Sequence, residues 1–411
     1  MCACLLASLA VVASSGARAH RPRASSAAYR QPAPSLFGIN TGTYINSYTA
    51  YVRDFSLVRQ LGGRWDHVTG HAIKWANGHL DWSAMDNFVR LSKRNHLGMM
   101  ITLAGDPDPR ACSILPAPAD PTRCHPVTPA EFRMYESFLR NELLRYRHSV
   151  TYYESWAEPN HTGAWPPFPN PAQYAALLRA QYSVFRAVNK QYGLHLKLIF
   201  GSPADFGIAP GSPGGIAVLP FTHEVLGDLK GRRAFDLIGL HAYRFPPTSP
   251  SAKLWDDVRG IPFARPFRGP FPKQGCRRTA ARKGIFCQMS WRDELAAYRQ
   301  EFINRGYGPH TLWLTEFGWP GVHQVPAHPL PKANYYPLYK AQARYLQKAY
   351  EILLHLRFVQ AAFWFDIRDY TPGVPTPDPP FFAHFGLVTD KAKYKPAAYI
   401  FRTLARANPG R

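Results

Sequence analysis

Two glutamates beside apolar, aromatic-rich runs carry the chemistry of this chain: Glu158 in YYESWAEPN (152–160) and Glu316 in LWLTEFGWP (312–320). Runs of this length, bounded by Pro, Asn or Gly, read as strands enclosed on both faces. A lone Glu at such a strand end is ordinarily solvated, bonded to backbone N–H groups or paired with a base, because burying an unpaired carboxylate is costly. Two of them, crowded by Trp156, Trp165, Phe317 and Trp319, point instead to paired-carboxylate chemistry in a cleft lined by aromatic rings. Pro159 follows Glu158 directly, which predicts that the first of these strands ends just past Glu158.

The elements that must position this pair follow from the hydrophobic pattern. Short apolar runs alternate with amphipathic stretches: LFGIN (36–40) and a helix at 50–61, RWDHV (64–68) and a helix at 82–96, MMITLA (99–104) and a helix at 129–147, TYYESWAE (151–158) and a helix at 171–191. The second half repeats the pattern with LKLIFGS (196–202) and 217–229, FDLIGLHAY (235–243) and 291–305, TLWLTEFG (311–318) and 335–356, FVQAAFWF (358–365) and 394–406. Eight strand-helix units predict an α/β fold, the (β/α)₈ TIM barrel, in which working residues sit at the carboxyl ends of the strands. Glu158 then belongs to the fourth strand and Glu316 to the seventh. An open doubly wound sheet is disfavoured because no G-x-G-x-x-G follows the first strand. Pro-, Gly- and Arg-rich loops at 105–128, 203–216, 244–290 and 367–386 extend the barrel, and those after the third, sixth and eighth strands would wall the catalytic face.

With 411 residues, 46% hydrophobic and 14% aromatic, the chain has ample material for a large core, and disorder is excluded for most of it. The start, MCACLLASLAVVASSGARAH, has a short apolar stretch ending in Ala17-Arg18-Ala19, the pattern of a secretory signal peptide over 1–19, although no Lys or Arg precedes the apolar run. That run is too short to span a bilayer. Residues 20–34 read as a linker, and the barrel domain as 35–411. Removal of the first segment leaves Cys112, Cys124, Cys276 and Cys287; four cysteines allow three pairings, of which closure of two local loops is the simplest in an oxidising compartment. A zinc site is the competing reading, disfavoured by the lack of any CxxC or clustered Cys/His spacing. A net charge of +22 favours acidic polysaccharides or other anionic partners by long-range attraction. The basic residues are dispersed and no nucleic-acid motif accompanies them, so a nucleic-acid partner is not expected.

The motifs resemble the retaining glycoside hydrolases of clan A, in particular the family 39 β-xylosidases and family 5-like members. Glu154-Ser155-Trp156-Ala157-Glu158-Pro159-Asn160 is similar to their E-x-W-N-E-P-N segment, and Thr315-Glu316-Phe317-Gly318-Trp319 to their nucleophile segment. His241-Ala242-Tyr243 resembles the H-x-Y that sets a tyrosine beside the nucleophile, and Phe363-Trp364-Phe365 the strand bearing a sugar-platform tryptophan. The resemblance implies a retaining glycosidase with Glu158 as acid/base and Glu316 as nucleophile, and with His67, Trp156, Asn160, His241, Tyr243 and Trp364 around the sugar. It implies an oligo- or polysaccharide substrate and no cofactor or metal. In this reading the Tyr243 hydroxyl keeps Glu316 ionised, while the Glu316 charge raises the pKa of Glu158. Ala157 stands where the clan has Asn, and His67 where it usually has Arg, so His67 is read either as a proton-sensitive support for Glu316 or as a hydrogen-bonded core residue. A barrel that binds glycan without cleaving it, and a transglycosylase, are the alternatives.

Overall fold

The computed structural model describes residues 29–41, 48–69, 72–116, 120, 122–204, 213–243, 262–263, 276–278, 285–287, 291–308, 310–321, 339–369 and 383–411. The proposed signal segment lies outside the described residues. Eight parallel strands close a barrel: β1 (Gly38–Asn40), β2 (Trp65–Thr69), β5 (Gly98–Thr102), β6 (Tyr152–Glu154), β7 (Lys197–Phe200), β8 (Leu237–His241), β12 (Leu312–Phe317) and β13 (Val359–Trp364), with β13 pairing β1. Between them run α1 (Tyr48–Gln60), α2 (Ser83–Arg94), α3 (Pro129–Tyr146), α4 (Pro171–Tyr192), α5 (Val218–Leu229), α6 (Trp291–Asn304) and α7 (Tyr339–His355), and α8 (Pro396–Ala407) closes the chain. The expected strand-helix alternation is the observed one. Among the described residues, no helix is long and apolar enough to cross a membrane.

Local sequence sets these boundaries. Thr128 and Glu131 form a reciprocal capping box with Pro129 opening α3, and Asn170 caps α4 ahead of Pro171, while Gly193 ends α4 at φ 62°. Between β2 and α2 the sequence KWANGHLD folds into a hairpin, β3 (Lys74–Ala76) and β4 (His79–Asp81), about Asn77 and Gly78, both with positive φ. Asn-Gly is a strong short-range hairpin signal, so this element was readable in the sequence although the strand-helix pattern passes over it.

Three regions differ from expectation. β6 stops at Glu154, not beyond Glu158. After it the chain turns, Ala157 makes a single parallel bridge with Ser202, and Glu158 sits at φ 53° with its N–H donated to the Ser202 carbonyl at 2.9 Å. Residues 29–34, read as linker, are tied to the barrel's amino-terminal end: Gln31 donates to the Met99 carbonyl at 2.8 Å and accepts from the Thr151 N–H at 3.0 Å, and the Trp65 indole donates to the Ala33 carbonyl at 2.8 Å. Polar side chains there satisfy backbone groups left over at the strand starts. In the long loop between β8 and α6, three short strands pair as a small sheet, β9 (Pro262–Phe263), β10 (Cys276–Arg278) and β11 (Ile285–Cys287). Cys276 and Cys287 are register partners in it, but their side chains lie outside the described residues. The other expected pair is bonded: Cys112 and Cys124 form a disulfide with Cα atoms 5.7 Å apart.

The barrel interior is apolar at the amino-terminal end. Trp65, Met100, Ile199, Trp313, Ala361 and Phe363 pack there, with Tyr152 and Leu237 at the edge. Trp65 and Trp313 meet edge to face at 5.7 Å and Tyr152 lies 4.6 Å from Trp313. Gly98 is required beside Trp65, because a Cβ there would overlap the indole.

Candidate active site

At the carboxyl-terminal end the interior becomes polar. Thr315 and Glu316 are consecutive in β12, yet both turn toward the barrel axis. A register shift between Leu314 and Glu316 relative to β8 accounts for this, since a bulge re-aims the side chain that follows it. Glu316 is held at both oxygens: Asn40 donates to Oε1 at 3.1 Å and the Tyr243 hydroxyl to Oε2 at 2.6 Å. His241, at the end of β8, places Nδ1 3.0 Å from Glu158 Oε1 and 3.6 Å from Glu316 Oε2. The side-chain exposures, 21% for Glu158, 9% for Glu316 and 1% for His241, put Glu158 at the open side of the cluster.

Below this trio lies a third glutamate. Glu154, the last residue of β6, is fully enclosed and accepts hydrogen bonds from Thr102, Ser202 and Thr315. His67 on β2 bridges the two levels: Nδ1 meets the Asn40 amide at 3.0 Å and Nε2 the Thr102 hydroxyl at 2.6 Å. The structure thus brings Glu158, His241, Tyr243 and Glu316 into contact, and joins His67 to Glu316 only through Asn40.

Three residues expected around the sugar lie elsewhere. Trp156 is enclosed against Trp165, edge to face at 5.5 Å, with its indole donating to the Ala164 carbonyl. Asn160 spends its amide on the Ala204 backbone and the Ile216 carbonyl, pinning the segment after β7 to the turn that carries Glu158. Trp364 is fully enclosed between Phe317 and Trp319 and donates to the Phe385 carbonyl at 3.2 Å. Its neighbour Phe365 is the ring that reaches the cluster, edge-on to Tyr243 at 5.9 Å. Trp156 and Trp364 are thus core rings satisfied by backbone partners, not platforms, and Asn160 is a backbone clamp. Asn40, Thr102, Glu154, Ser202 and Thr315 were missed by sequence reasoning; Glu154 and Thr315 carried a signal, each as the first residue of a quoted motif.

Electrostatics sharpen the cluster. Burial pushes the Glu316 carboxyl up to about 7, opposed by the His241 charge and the Tyr243 hydrogen bond and reinforced by Glu158 and Glu154. Tyr243 therefore supports the carboxylate without overcoming its desolvation, a correction to the expectation that it alone keeps Glu316 ionised. Burial alone would strip the proton from His241, but Glu316, the Glu158 hydrogen bond and Glu154 outweigh it and raise the ring to about 9. Burial wins at His67, which falls to about 4 despite Glu154, so the ring is neutral near pH 7 and fits the second of its two readings, a hydrogen-bonded core residue, rather than the proton-sensitive support.

One oxygen each from Glu158 and Glu316 and one ring nitrogen of His241 lie within 4.8 Å of one another, a spacing that could take a divalent cation. The same three groups also form a hydrogen-bonding set, with His241 Nδ1 3.0 Å from Glu158 Oε1 and 3.6 Å from Glu316 Oε2.

No protein-family model and no curated protein matches the chain. Solved structures do. A family 39 glycoside hydrolase from Bacteroides cellulosilyticus WH2 is similar over 91% of this chain and 64% of its own, at 20% identity and TM-score 0.59. The fold is shared with family 39 glycoside hydrolases. The family 39 enzyme of Xanthomonas axonopodis pv. citri aligns over 92% of this chain and 68% of its own, with 16% identity and TM-score 0.57. A family 39 β-xylosidase from Caulobacter crescentus aligns over 92% and 73%, with 16% identity and TM-score 0.56. The chain spans just under two thirds of the length of the Bacteroides protein, and at these identities the likeness is one of fold.

Proposed function

We propose that this barrel is a glycoside hydrolase working by double displacement with net retention, Glu316 as nucleophile and Glu158 as acid/base. The observation that carries the reading is the proximity of a carboxylate oxygen of Glu158 to one of Glu316, within 4.8 Å, at the mouth of the barrel. Retaining glycosidases hold their carboxyl groups about 5 to 5.5 Å apart, whereas inverting ones leave about 6.5 to 9.5 Å for a water. The unequal settings of the two groups match the two roles. Glu316 is enclosed and fixed at both oxygens, as a nucleophile aimed at one carbon must be. Glu158 is the more open and touches His241, so it can meet a leaving group and then a water.

In the first step a Glu316 oxygen forms a bond to the anomeric carbon while the glycosidic oxygen leaves with the Glu158 proton. Glu158, now a carboxylate, takes a proton from water, whose oxygen attacks the same carbon and releases Glu316. Tyr243 and Asn40 hold the nucleophile in line, and the His241 Nδ1–H donates to Glu158 at 3.0 Å with a Glu316 oxygen 3.6 Å away.

Hydrolysis of a panel of aryl glycosides, with Glu158→Gln and Glu316→Gln beside the wild type, tests the reading. Wild-type turnover on at least one donor, lost in both variants, supports it; a folded wild type no faster than either variant on every donor sinks it. The net charge of +22 favours acidic glycans. Retention on a uronic-acid polymer should then exceed retention on a neutral one at low salt and fall as salt rises. The apolar start of the chain supports export, and finding the mature protein beginning at His20 in culture medium would establish it.

A further inference from the structure

Resting on the reading of Glu158 and Glu316 as the reacting pair, we infer that Glu154 is the positioning residue of the site: a buried carboxylate that, from beneath the pair, holds His241 as the charged bridge between them and fixes the direction of the hydrogen bonds reaching Glu316.

Glu154 touches neither the cleft nor a basic side chain at hydrogen-bond distance. Its oxygens are satisfied by hydroxyls: Ser202 and Thr315 on Oε1, Thr102 on Oε2. A carboxylate accepts only, so Thr102 commits its single proton to it, while Ser202 and Thr315 also bond each other and share the protons on Oε1. That commitment sets the other side of the chain. With its proton on Glu154, Thr102 can only accept from His67, which makes His67 the Nε2–H tautomer. Nδ1 of His67 must then accept, and the group facing it is the Asn40 amide nitrogen, which also donates to Glu316 Oε1 at 3.1 Å. Glu154 thereby keeps the amide of Asn40 turned so that it gives protons to the nucleophile.

The second route runs through His241. Its Nδ1 side is engaged by Glu158 and Glu316, but Nε2 is enclosed and has no hydrogen-bond partner among the described residues. That nitrogen lies 3.9 Å from Glu154 Oε1, too long for a hydrogen bond and close enough for strong charge attraction in a desolvated site. The groups facing the ring are Glu154, Glu158, Glu316, the neutral His67 and Tyr243, whose hydroxyl is spent on Glu316. During the proposed cycle Glu316 loses its charge on forming the glycosyl-enzyme and Glu158 changes protonation state in both steps. Glu154 is the one carboxylate of the three whose bonding does not change. It keeps the His241 proton in place while Glu316 is esterified, so that Nδ1–H remains available to Glu158 as it receives the proton from water.

The test is the titration of His241 followed by its ring C–H signals in the intact protein without substrate. Glu154→Gln, which preserves shape and removes the charge, should lower the His241 midpoint by about one pH unit or more, and the alkaline limb of kcat/KM should follow it. Thr315→Val, which keeps the charge and removes one compensating donor, should leave the midpoint unchanged or raise it. A midpoint unmoved in folded Glu154→Gln overturns the assignment. Should Glu154→Gln fail to fold, a fall of the midpoint in Thr315→Val overturns it instead, since loosened packing and not charge would then govern the ring. The titration needs no turnover, so a wild type inert on all glycosides would sink the hydrolase reading while leaving this outcome to decide the role of Glu154.

Discussion

The two ends of one barrel interior are built on opposite principles. At the amino-terminal end Trp65, Trp313, Met100 and Phe363 fill the axis with apolar surface, the two indole N–H groups being spent on Ala33 and Gln360, whereas at the carboxyl-terminal end the barrel strands supply Asn40, His67, Thr102, Glu154, His241 and Thr315. The polar end is equally enclosed, and is stable because nearly every group is an obligatory donor or acceptor for another. One end therefore governs whether the barrel stands, and the other governs where protons sit.

Substitutions should separate these roles. The largest effect is expected from Glu316→Gln, which removes the proposed nucleophile and should cut kcat on an aryl glycoside by about 10⁴-fold or more, with the melting temperature unchanged or higher. At the opposite end, Trp313→Ala should cost about 3 to 5 kcal/mol in urea unfolding while the pH profile of any remaining folded enzyme stays put. A Trp313→Ala protein of normal stability would break the division of labour.

His241→Gln probes the polar end more finely. The imidazolium lowers the pKa of Glu316, which stands at about 7 with the charge present, so its removal should move the acid limb of kcat/KM upward by about one unit. A downward or absent shift would mean that His241 is not charged.

Glu142 on α3 offers a control outside the barrel axis. It is enclosed, its Oε1 lacks a partner among the described residues, and burial raises it to about 8 from an ordinary 4.5. The folded state therefore holds this proton more tightly than the unfolded chain does. Stability should fall as pH rises from about 4.5 and level off above about 8, and Glu142→Gln should flatten that slope in a pH series of urea titrations. The smallest effect belongs to Trp364→Phe, which loses one indole hydrogen bond worth about 1 kcal/mol and should leave KM alone. A tenfold rise in KM would restore Trp364 to the sugar site.

Much of this was legible in the residues. Periodicity located all eight strand-helix units, because each strand is a short run buried on both faces and each helix shows an apolar stripe. Glu158, Glu316, His241 and Tyr243 stood out because their types and neighbours form recognisable local motifs. Asn40, Thr102 and Ser202 did not, since a small polar residue at a strand end looks the same whether it faces solvent or a buried carboxylate. Trp156 and Trp364 misled for the converse reason: aromatic type says nothing of which face of a strand or turn the ring will take. The end of β6 was misplaced because Pro159 marks where extended structure must stop, not where pairing does.

Glu158 carries one more consequence. At φ 53° it occupies the left-handed region, where an L side chain costs about 1 to 2 kcal/mol and glycine does not. Its backbone conformation suits a glycine, and only chemistry recommends a glutamate there. Selection of this protein for heat resistance alone, without assay of turnover, should therefore drift toward Gly or Asn at position 158 and yield sturdier barrels that lack the proposed acid/base.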